Sequence, residues 1–172
     1  MVNRRFGGLA VAAAVLFMPA ALNAEVPFSP AKGGYTVVFP GKPEEKEVAL
    51  SPQVKSTVYS VNRDDAAFLA GYTEYTQDMD VDKELAADVQ SFVISIPAQM
   101  TERKRSAIKL PDGTSAERVE FSFDGEKSAG RGVAIMRTPR SSIMIAALSI
   151  KPAGKPADVD AFVKSFKLAG QD

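Results

Sequence analysis

The sequence predicts an α+β domain in which a mainly antiparallel sheet packs with a long central helix and a C-terminal helix. Two patterns carry that expectation. Apolar alternation recurs between tight turns at Pro40-Gly41-Lys42-Pro43, Asn62-Arg63-Asp64-Asp65 and Asp124-Gly125-Glu126, and turns this short join strands antiparallel. The period then changes twice. Leu85, Val89, Phe92, Val93, Ile96 and Met100 form one helical stripe, and Val159, Phe162, Val163 and Phe166 form another.

Taken in order, Glu25–Gly34 holds Pro27, Pro30 and two glycines and reads as a lead-in without an element of its own. Tyr35, Val37 and Phe39 alternate with Thr36 and Val38, a short strand suited to burial on both faces. Glu45–Leu50 reads as a weak strand, Val54–Asn62 as a β-branched one, and Ala67–Thr76 as a third carrying Phe68, Leu69, Tyr72 and Tyr75. Asp80 and Asp82 stand where a helix N-cap and the positive end of the helix dipole favour carboxylates. The long helix is expected from about residue 82, with Pro97 ending its regular part near Ser95 and distorting the last turn. Strands resume near Thr101. Val119, Phe121 and Phe123 alternate with Arg118, Glu120 and Ser122, giving one wet face. Lys127–Arg137 follows, and Ser142–Ile150, apolar on both alternating sets, is expected mid-sheet. Pro152–Pro156 links it to the final helix.

The first 24 residues carry Arg4 and Arg5, an apolar run from Leu9 to Phe17, and small residues up to Ala24. That is the pattern of a signal peptide, with an apolar run too short to be a permanent membrane span. Residues 25–172 are then expected to be a single domain, periplasmic or secreted after cleavage near Ala24, with no transmembrane segment. Gly7 stands where a twin-arginine signal usually carries a large apolar residue, which favours general secretion. Without Arg4 and Arg5, 19 of the 21 basic residues remain against 21 acidic ones. That balance gives no electrostatic reason to expect nucleic acid as a partner.

The chain has no histidine and no cysteine. Hydrolases built on a histidine base, histidine or thiolate metal sites and thiol redox chemistry are therefore excluded. Ser29-Pro30-Ala31-Lys32 and Ser106-Ala107-Ile108-Lys109 match a serine–lysine spacing, but neither sits on an expected helix and the companion motifs are missing. Asp78, Asp80, Asp82 and Glu84 suggest a calcium loop, yet Lys83 and Val89 stand where an EF-hand needs glycine and glutamate. They read as a solvated helix start. Arg103-Lys104-Arg105 is a short basic run whose three members cannot all face one way on a strand, with Arg131, Arg137 and Arg140 as candidate neighbours on adjoining strands. Gly130-Arg131-Gly132 begins like a dinucleotide fingerprint, but Ile135 replaces its third glycine. Tyr35, Tyr59, Tyr72 and Tyr75 read as core more readily than as a ligand pocket. No catalytic, cofactor-binding or metal-ligating residue is singled out, and no cofactor is expected.

The phrase Gly34-Tyr35-Thr36-Val37-Val38-Phe39-Pro40-Gly41-Lys42-Pro43 resembles the opening of a group of small exported bacterial proteins with a Mog1/PsbP-like domain. The ending Ala161-Phe162-Val163-Lys164-Ser165-Phe166-Lys167-Leu168 resembles that group's closing helix. The resemblance implies an antiparallel sheet between helices and a protein-binding or assembly role without a shared catalytic site. It transfers no functional residue. The expected function is a non-catalytic periplasmic accessory module that binds another periplasmic or envelope protein. The alternatives are a carrier of an apolar ligand held between sheet and long helix, which Pro97 motivates, and a hydrolase independent of histidine and cysteine.

Overall fold

The computed structural model describes residues 25–170, so the expected signal segment lies outside the described residues. The chain runs β1 (Val26–Phe28), β2 (Tyr35–Phe39), β3 (Glu44–Ser51), β4 (Val54–Asn62), β5 (Ala66–Tyr75), α1 (Val81–Ser95), β6 (Ala98–Lys109), β7 (Ser115–Gly125), β8 (Ser128–Thr138), β9 (Ser141–Ile150), α2 (Pro156–Lys164) and β10 (Lys167–Leu168). Seven strands form one antiparallel sheet in the order β3-β4-β5-β9-β8-β7-β6. A second, three-stranded sheet has the order β1-β2-β10.

This overturns the expected α+β class with its long central helix. The described residues are mostly β, with 55% of them in strands, and the helices among them have 15 and 9 residues. The reason lies at Pro97. A residue before proline is driven out of the helical region, and Ile96 has φ −103° and ψ 131°. The helix ends at Ser95, and β6 starts directly at Ala98. Met100, read as the last member of the helical stripe, instead sits on β6 opposite Phe123. The residues expected to extend the helix lengthen the sheet.

The start of α1 follows its sequence signals. Asp80 is the N-cap, and its Oδ1 accepts the Lys83 backbone N–H at 3.2 Å. Leu85, Val89, Phe92 and Val93 are buried against Val119, Phe121 and Phe123 of β7 and Ala134 and Met136 of β8. Phe92 meets the Phe121 and Phe123 rings edge-on at 5.9 and 5.8 Å. Those two rings need space on β8, and glycine supplies it. Gly132 lies opposite Phe121 and Gly130 opposite Phe123, and a Cβ on either would collide with the facing ring. The glycines of the incomplete dinucleotide fingerprint are packing positions.

The opposite face of the large sheet carries α2 and the small sheet. Tyr35, Val37 and Phe39 of β2 are buried in this second core with Phe68, Ile135, Ile143, Ile145, Val159 and Phe162. The Phe39 and Phe68 rings flank Phe162 at 5.1 and 5.3 Å. Two sequence readings change here. The lead-in contains β1, which pairs with β2, and β2 leaves the main sheet altogether. The turn at Pro40–Pro43, with Gly41 at φ 149°, carries the chain between layers rather than into a hairpin. Beyond α2, Ser165 Oγ accepts the Val38 backbone N–H at 2.9 Å and donates to the Phe162 carbonyl at 2.6 Å. That serine fastens the helix end to β2, and β10 then completes the small sheet.

Candidate functional site

The two helices cover the sheet unequally. α2 packs over β5, β9 and β8, which leaves the β6–β7 flank of that face uncovered. There an open groove of about 390 Å³ runs between α2 and the sheet. Strand alternation builds it. Lys104 lies opposite Glu120, Glu102 opposite Ser122, and Ser122 opposite Arg131, all on one face. The helix contributes Asp160 and Lys164, and Val133, Val163 and Phe166 supply the apolar part of the lining. Arg131 binds Asp160 at 2.8 Å and Arg118 binds Glu120 at 3.0 Å. Both ion pairs are partly exposed, so each adds little to stability. They do fix the direction of four charged side chains.

A second constellation lies on the other face, beneath α1. Asp88 is 6% exposed. Tyr75 Oη donates to Asp88 Oδ2 at 3.2 Å and lies 3.2 Å from Ser142 Oγ, which is 3.5 Å from the same carboxylate oxygen. Ser56 and Thr73 share a hydrogen bond of 2.8 Å nearby. Burial, and then the charge of Glu84 one turn earlier, push the Asp88 carboxyl up to about 7, while the two hydroxyls hold it back. Burial and the neighbouring Asp88 charge also raise the Tyr75 phenol. A carboxyl titrating near neutrality suits general acid–base work, provided a substrate can reach it. The cavity beside it measures about 20 Å³ and is lined by Leu69, Phe92 and Met144 among others, which is room for about one water. The cluster therefore joins α1 to β5 and β9 as a buried polar clamp.

The sequence candidates disperse. Ser29 donates to the Tyr35 carbonyl, and Ser106 and Lys109 lie on a strand, where the amine reaches Ser115 at 2.8 Å instead. The carboxylates of the calcium-like stretch turn to separate cations: Asp78 to Arg140 at 2.6 Å, Asp80 to Lys83 at 2.9 Å, and Asp82 to Arg105. Within the basic run, Lys104 enters the groove, whereas Arg105 turns to Asp82 and Glu117 on the α1 side. Arg137 donates to the Gly33 carbonyl at 2.8 Å. Tyr35, Tyr59 and Tyr72 belong to the α2 side and Tyr75 to the α1 side, so the four do not share a pocket. Beside Pro97 lies an open depression shared with Asp124 and Gly125 at the surface.

Sequence reasoning missed Asp88 and the groove. Asp88 stands three residues after Leu85, inside the apolar stripe, and a carboxylate in that position signals a buried acid. The groove depends on where α2 lands on the sheet, which no local pattern encodes. No protein-family model matches the chain, and a search of curated proteins finds no match. Among the described residues, no helix is long and apolar enough to cross a membrane.

Proposed function

We propose that the chain is an exported, non-catalytic accessory module that binds another envelope protein through the groove between α2 and the β6–β8 flank. The observation that carries this reading is the groove itself: open, about 390 Å³, with fixed charges of both signs beside apolar side chains. Polar groups held in place around an apolar patch give a contact surface orientation and selectivity. Asp88, the carboxyl best tuned for proton transfer, faces a space that admits about one water. The same small volume argues against an apolar ligand lodged between sheet and helix, since carriers of that kind need several hundred Å³.

The test is a photoreactive amino acid placed at Glu102 or Lys164 in cells that make the protein, with Lys83 on α1 as the far-face control. A discrete adduct is expected from the groove positions, and it should disappear when Arg131→Glu is added. An adduct formed equally well from Lys83, or none from the groove, contradicts the reading.

A further inference from the structure

We infer that the groove seats carboxylates of an acidic, extended segment of its partner, with Arg118, Lys104 and Lys164 as the receiving groups; this rests on the binding role proposed above. Four basic and three acidic side chains line the groove. Two of the acids are already engaged, Glu120 by Arg118 and Asp160 by Arg131. Among the described residues Lys104 and Lys164 have no ion-pair partner, and Glu102 is the one lining carboxylate outside those two pairs. The committed pairs cancel, and the surplus is positive.

The second observation concerns Arg118. Its terminal nitrogen reaches Glu120, but its Nε is buried without an acceptor among the described residues. The Nε is therefore closed to a partner, and it is the exposed part of the guanidinium, the side chain being 31% exposed beside Glu120, that can take an arriving carboxylate through its terminal nitrogens. Val133, Val163 and Phe166 offer apolar contact beside these charges. A strand-like segment alternates its side chains, so one carrying acidic and apolar residues in turn can meet both kinds of surface. Extended conformation also fits the place, because the groove's rim is β6, an edge strand of 12 residues with one side unpaired by any described strand.

The experiment titrates the isotope-labelled protein with an acetylated pentapeptide of alternating glutamate and valine, and with its glutamine and lysine counterparts, following backbone amide shifts. The glutamate peptide is expected to perturb Lys104, Ser122, Arg131 and Lys164 saturably, and the glutamine peptide to bind about tenfold more weakly, as for a lost charge-assisted contact. Lys164→Gln, on an exposed helix position, should weaken the glutamate peptide about threefold without moving the unfolding midpoint. Arg118→Gln should weaken it further, with circular dichroism confirming the fold. Equal binding of the glutamate and glutamine peptides overturns the inference. So does a groove that responds to inorganic phosphate and to no peptide. In either case a groove-specific adduct in cells would still stand, which separates failure of this inference from failure of the binding role.

Discussion

Asp88 shows how one side chain couples the fold to pH. Its carboxyl is raised from 3.8 to about 7, first by burial and then by Glu84. A raised acid holds its proton in the folded state while the unfolded chain releases it. The contribution of Asp88 to stability is therefore greatest below pH 4, falls as pH rises toward 7, and is level above, whereas Asp80, Asp112 and Asp124, whose carboxyls are lowered by hydrogen bonds, contribute in the opposite sense at acid pH. The groups facing Asp88 are Tyr75, Ser142 and Glu84, and none is a cation that would reverse the sign. Asp88→Asn removes the titration, so the variant should lose this pH dependence, on the order of 4 kcal/mol across pH 4–8. Urea unfolding of both proteins across that range checks it; parallel curves would refute the assignment. At Gly132 a Cβ would meet the Phe121 ring and, at 2.6 Å, the Ile145 carbonyl oxygen. Gly132→Ala should cost about 2–4 kcal/mol, and a shift in the denaturation midpoint measures it. The sequence reading passed over Asp88 and met Gly132 only as part of an incomplete fingerprint. Their roles were not legible there, because each depends on a neighbour brought in from another element.

At the scale of elements, the turns and caps were legible, and the partners were not. Asp80 caps α1 as its residue type suggests, and Pro156, read as the end of the linker, is instead the first residue of α2. Pro97 ended the helix outright, since a following proline disfavours the helical region and Ile96 is extended. The alternation of Tyr35, Val37 and Phe39 marks a strand, but alternation is silent about which sheet receives it. The two edges of the large sheet illustrate a further device. β3 begins with Glu44, Glu45, Lys46 and Glu47, all exposed, and β6 carries Glu102, Arg103, Lys104 and Arg105, also exposed. Charge along an edge discourages pairing with another copy. Glu45→Val combined with Glu47→Val should raise self-association, visible as faster-sedimenting species in analytical ultracentrifugation. A sedimentation profile identical to wild type would show that these charges do not guard the edge.

For the molecule as a whole, a large sheet with two short helices cannot be covered evenly. α1 fills the β6–β8 region of one face with apolar side chains and closes over Asp88. α2 and the small sheet fill the β5, β9 and β8 region of the other, and the flank they leave becomes the charged groove. Of the strands that line it, β7 was expected with one wet face, since Arg118, Glu120 and Ser122 alternate with Val119, Phe121 and Phe123. What that wet face looks onto was decided by the docking of α2, through Phe162 between Phe39 and Phe68. Binding through this flank, as proposed, makes affinity for the partner captured from cells depend on its charges. Lys164→Glu should raise the dissociation constant by about tenfold or more, as reversal of an interfacial charge does, while Lys83→Glu on the far face leaves it unchanged. Equal affinities for Lys164→Glu and the wild-type protein, or an equal loss from Lys83→Glu, would contradict it.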